Sequence, residues 1–255
     1  MIPVSVFCKQ WNTMMRSGNP ALRADVFDQA PRSGTIGDAM TINGTVGKTA
    51  FSLLLVVLAA SLTWSQTPNP LIMIGGGIGG FIVAMVTIFK KQWSPVTTPL
   101  YAVLEGLFLG GISSMYEARF PGIVLNAVVL TLGTLGALLI AYRSGVIKAT
   151  ENFKLGVVAA TGGIAVVYLV TMVLGMFGVG VPYIHESGTI GIAFSLFVVV
   201  IAALNLVLDF DFIESGAAAR APKYMEWYGA FGLMVTLVWL YLEMLRLLSK
   251  LQGRN

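Results

Sequence analysis

Seven apolar stretches, each close to the length that crosses a bilayer, constrain this chain more than any other feature. They are Gly47–Ser65, Leu71–Phe89, Pro99–Tyr116, Gly122–Tyr142, Leu155–Phe177, Gly188–Leu208 and Trp227–Leu248. A helix needs about 20 apolar residues to cross the hydrocarbon core. No water is available there, so each backbone polar group must be paired within its own helix or a closed barrel. The pattern predicts an all-α polytopic membrane protein with seven transmembrane helices. Only 11% of the 255 residues are charged, against about 25% in a soluble domain, and mean hydropathy is +0.81. The links QTPNP, KKQWSPVTT, EARFPG and FGVGVPYIHESG are short and rich in Pro or Gly. They imply antiparallel neighbours and leave no room for a soluble domain.

Three regions follow. Residues 1–46 read as a cytoplasmic arm, partly disordered and turn-rich, with no early apolar run of the signal-peptide kind; Met14 and Met15 are alternative starts. Residues 47–250 form the transmembrane domain, and 251–255 a short C-terminal tail. With the N-terminus inside, twelve of the sixteen Lys and Arg residues fall on the inner side. Arg119, Arg246, Lys250 and Arg254 fall outside. Positive residues concentrate on the cytoplasmic side, so this asymmetry with an odd number of spans predicts a C-terminus outside. The net charge of +4 is used on orientation and needs no nucleic acid.

Small residues crowd several spans: Gly75 to Gly80, Gly106, Gly110 and Gly111, Gly133 and Gly136, Gly162 and Gly163. They read as packing faces, where helix backbones approach closely. The GGGIGG run follows no strand of a βαβ unit and is no dinucleotide fingerprint.

Chemistry-bearing residues are few. The single Cys8 and single His185 exclude an intramolecular disulfide and a cysteine or multi-histidine metal site. His185 and Glu186 read as a solvated loop pair. No nucleophile–base constellation is visible, so the chain is not expected to be an enzyme or to hold a cofactor. Acids within spans are expensive and usually face a protein interior or a water-filled cavity. The stretch NLVLDFDFIE sets down Asp209, Asp211 and Glu214 at the end of the sixth apolar run. Asn205 and Asp209 share a helix face, and Asp211 points the other way. Glu105 lies roughly 9 Å into its span if that helix starts at Pro99, and Thr236 about 13 Å in from Trp227. Asp209, Glu105, Asn205 and Thr236 are therefore expected to form one polar layer. Separate hydrogen-bonded side chains are the alternative. Glu243, three residues before Arg246, is expected to form an interfacial ion pair.

RSGNPAL, YAVLEGLFLGGI, LNLVLDFDFIESG and FGLMVTLVWLYLEMLRLL resemble the transmembrane BAX inhibitor motif family, the Bax inhibitor-1/YccA-like proteins. The resemblance covers roughly residues 15–252, and the long arm points to a bacterial subgroup. It implies a seven-helix fold with the last helix central, surrounded by three antiparallel pairs. It also implies a pH-sensitive calcium leak, gated by protonation of an aspartate pair on the sixth and last helices. Asp209 takes the sixth-helix place, because its spacing to Ile213 matches the family's D-x-x-x-I. In the last helix, alignment on the closing L-R gives Thr236, and alignment on L-Y-L-acid gives Glu243. The first keeps spacing and depth closer. The pair has then lost one member, for which Glu105 is a substitute.

The sequence thus predicts a passive, pH-modulated cation (calcium) leak in a bacterial inner membrane. Asp209 and Glu105 would meet calcium transiently, with Asn205 and Thr236 as polar partners and Asp211, Glu243 and Arg246 as secondary candidates. Membrane lipids are the expected surroundings. The alternative is a non-conducting regulator that binds other membrane proteins, such as a membrane protease.

Overall fold

The computed structural model describes residues 39–64, 69–178 and 188–253. These fold into seven long helices, all apolar and long enough to span a membrane: α1 Ile42–Trp64, α2 Pro70–Phe89, α3 Ser94–Arg119, α4 Ile123–Arg143, α5 Glu151–Met176, α6 Thr189–Ala218 and α7 Met225–Gln252. Among the described residues the only β pairing is an isolated bridge between Ala39 and Pro222. The chain is a multi-pass membrane protein. The arm up to residue 38, the pair His185 and Glu186, and Arg254 lie outside the described residues.

Helix ends follow local chemistry more than hydropathy. Asn69 caps α2 through the Leu71 amide at 3.0 Å, with Pro70 supplying the fixed φ suited to a first turn. Thr150 caps α5 through the Phe153 amide, with Glu151 in the first turn. Several helices outrun their apolar stretches. α1 begins at Ile42, inside the segment expected as arm, because Thr41 accepts the Gly44 amide at 3.0 Å as an N-cap does. α3 begins at Ser94 and carries Pro99 within it, at the expense of one ladder bond. α7 extends two residues into the expected tail, to Gln252. α6 continues past Leu208 to Ala218, so the three acids at its end are helical.

The Cα framework divides into two compact units, and α6 and α7 contribute residues to both. One takes the described residues up to Pro121 together with 211–235. Here α1 and α2 both pack on α3. Their close approach rests on glycine: a Cβ on Gly106 would lie 2.7 Å from the Ala59 Cβ, and one on Gly76 would lie 2.7 Å from the Leu104 carbonyl oxygen. Thr63 Oγ1 donates to the Leu107 carbonyl at 3.1 Å. Ser94 and Thr98 hydroxyls donate to the carbonyls of Tyr224 and Trp227, and Tyr101 meets Phe231 edge-on at 5.2 Å.

The other unit takes the described residues of 122–210 and those from Thr236 onward. Ile164, Val198 and Ile201 form its buried cluster, joined by Tyr168, Phe194 and Trp239. Here one expectation fails. Gly133, Gly136, Gly162 and Gly163 are not packing faces against the described residues, because a Cβ on any of them meets nothing within 4 Å.

Burial differs sharply among the helices. In the most apolar window of α7, 67% of residues are buried, against 17% for α4 and 11% for α5.

Candidate functional site

Asp209 is fully buried on α6, with 0% exposure, while Asp211 is half-buried and Glu214 exposed. The helical phase separates the three acids in this way. Asn205, one turn earlier and 2% exposed, is anchored twice. Its Nδ2 donates to Thr161 Oγ1 of α5 at 2.8 Å and to the Ile201 carbonyl at 2.9 Å. Thr236 of α7 is 3% exposed in the same unit. An apolar helix keeps an amide, a hydroxyl and a carboxyl out of water only where neighbours accept or donate hydrogen bonds.

Glu105 belongs to the other unit. It is 8% exposed on α3, and its carboxylate lies against α2, where a Cβ on Gly80 would approach Oε2 to 3.0 Å. A glycine at that place gives the carboxylate its room. Among the described residues no group of three or more His, Cys, Asp or Glu side chains could hold a metal ion.

Glu243 and Arg246 do pair, at 2.7 Å, and the carboxylate is more deeply buried than an exposed pair would have it. Glu243 is 2% exposed and Arg246 36%. The Tyr168 hydroxyl of α5 donates to Glu243 Oε1 at 2.9 Å and accepts from Arg246 Nη1 at 2.6 Å. The guanidinium carbon also stands 5.0 Å from the centre of the Tyr168 ring. Lys250 is buried as well, donating to the Gly191 carbonyl and Ser195 Oγ of α6. The C-terminal end of α7 is thus tied to α5 and α6 by ionic hydrogen bonds. A tyrosine hydroxyl within an apolar span needs a partner, which was the available signal for Tyr168.

Sequence reasoning also passed over Glu226. This carboxylate, 0% exposed, gathers donors from three residues in two segments. Oε1 accepts from the Thr41 amide at 2.9 Å, Thr41 Oγ1 at 2.8 Å and Lys223 Nζ at 2.9 Å. Oε2 accepts from Lys48 Nζ, which also stands 5.5 Å from the centre of the Trp227 ring.

Seven spanning helices, with a buried acid on the sixth and the last helix the most buried of all, fit what the resemblance implies. A sequence profile described as Bax inhibitor 1 like matches residues 17–253. The chain belongs to the Bax inhibitor 1-like family. A comparison with curated proteins gave no match. In this Bax inhibitor 1-like chain α6 carries two aspartates, Asp209 fully buried and Asp211 half-buried. On α7 both alignment candidates, Thr236 and Glu243, are buried. Only Glu243 carries charge, and it is engaged with Arg246 and Tyr168.

Proposed function

We propose that this protein is a passive, pH-modulated cation leak of a bacterial inner membrane, with calcium as cargo and Asp209 as the group that sets passage. The observation supporting this reading is the complete burial of Asp209 within a continuous apolar helix, one turn from the anchored Asn205. Acids at such positions commonly mark ion or proton paths. With its proton bound, Asp209 is neutral and leaves the surrounding layer without net attraction for ions. Without it, the layer holds a fixed negative charge in low dielectric, which a hard, oxygen-seeking cation answers. Asn205 and Thr236 supply neutral polar atoms along the same unit.

Calcium flux in proteoliposomes across pH tests this. Asp209→Asn keeps the shape and removes the charge change, so the pH response flattens. Asp211→Asn, on the less buried face, leaves it intact. Flux absent from the wild-type protein in well-reconstituted vesicles overturns the leak. The non-conducting regulator then takes its place, with co-purification of a membrane protein such as a protease as its own test.

A further inference from the structure

The first turns of α1 and α7 meet at one carboxylate. We propose that Glu226 is a release latch: seated, it holds the start of α7 to the start of α1, and unseating it loosens both and raises ion passage. The last clause rests on the leak reading and adds regulation to it.

The seat has the form of a capping box completed from another helix. In such a box the N-cap hydroxyl accepts the amide three residues on, and an acid at that third position accepts the N-cap amide. Thr41 and the Gly44 amide supply the first half. The third position is Gly44, which has no side chain, and Glu226 accepts the Thr41 amide in its place. A Cβ on Gly44 would run into the Glu226 carboxylate. The negative charge also faces the N-terminal end of α1, where it is favoured.

The partners divide so that two states are possible. Thr41, the N-cap of α1, and Lys48 within α1 are left behind on release. Lys223, 50% exposed and three residues before Glu226, travels with it, so the released carboxylate keeps a cation and gains water. Lys48, 20% exposed, can reach water in turn. Neither state strands a buried charge, which is the costly outcome.

The strap beside the latch carries strain. The Met40 amide donates to the Ala221 carbonyl at 2.6 Å, next to the Ala39–Pro222 bridge. Immediately before it, Arg220 has φ 54°, a left-handed conformation that suits glycine and opposes a longer side chain. The segment that seats Glu226 is therefore held against a local backbone preference.

Hydrogen exchange on the full chain in lipid, read together with calcium flux, tests the latch. Glu226→Gln raises exchange about tenfold in residues 39–46 and 221–230 together, as expected for one cooperative unit. Gly44→Ala does the same with every charge kept, which covers the case of a poorly folding Glu226→Gln. Arg220→Gly slows exchange in both segments. Flux rises in the first two variants and falls in the third. Exchange that rises in one segment only overturns the latch. Exchange that rises in both with unchanged flux makes the junction a staple and overturns the regulatory role. No flux in any protein, wild type included, overturns the leak and its gating, and the exchange pattern then decides the lock alone.

Discussion

The buried end of α7 gives a prediction with a definite asymmetry. Arg246→Met removes the guanidinium and leaves Glu243, 2% exposed, with the Tyr168 hydroxyl as its remaining described partner on Oε1. Breaking a buried pair by deleting one partner costs about 3–5 kcal/mol when the other charge is left uncompensated; here the Lys250 ammonium also attracts Glu243, which puts the loss toward the lower end. Glu243→Gln removes the opposite charge, but Arg246 is 36% exposed, the less deeply buried of the two charges. The loss is then smaller than for Arg246→Met, because the charge left behind is the better solvated one. Tyr168→Phe deletes one interhelical hydroxyl, at about 0.6–1.7 kcal/mol on the membrane-protein scale. The order of loss is therefore Arg246→Met first, ahead of the other two. Unfolding by rising dodecyl sulfate fraction in mixed micelles, followed by the fluorescence of the five tryptophans, measures it. Adding Glu243→Gln to Arg246→Met should recover most of the loss, since the stranded charge is gone. The argument is refuted if Arg246→Met costs no more than Glu243→Gln, or if the double variant is the least stable.

Other outcomes are equally direct. Gly106→Val should lower the yield of folded protein and cost about 1–3 kcal/mol by overpacking, because even a Cβ meets Ala59 at 2.7 Å; Gly133→Val and Gly162→Val should leave unfolding unchanged in the same micelle titration. Lys250→Met should destabilise by about 1 kcal/mol, through loss of the bonds to Gly191 and Ser195, and the midpoint of the same titration reads it. A topology reporter fused after Asn255 should read as outside and one in the Arg143 to Lys154 loop as inside, following the asymmetry of basic residues.

The seven helices were legible because hydropathy over a bilayer length is a strong, local signal. Their ends were less so, since caps and prolines decide them: Thr41 starts α1 before the apolar run, and α6 runs past Leu208 as a helix that carries three acids. The phase of Asp209 against Asp211 was legible too, because the helical repeat sets it. What escaped were contacts between residues distant in sequence. Glu226 lies 185 residues from Thr41, and Tyr168 lies 75 from Glu243. No local pattern ties such pairs. Glycines in α3 and α4 look alike in sequence, yet Gly106 is packed and Gly133 open, because the neighbouring helix decides the outcome.

The sparse burial of α4 and α5 gives lipid an unusual share in the stability of this protein. Side chains such as Leu125, Ile140, Val166 and Met172 are largely exposed, so the acyl chains around them act as their solvent. Bilayer thickness then becomes a thermodynamic variable. A membrane too thin or too thick must deform around these helices or tilt them, at fractions of a kcal/mol for each ångström of mismatch. Transfer to a short-chain detergent should therefore be felt first in α4 and α5, and restored by lipids of matching length.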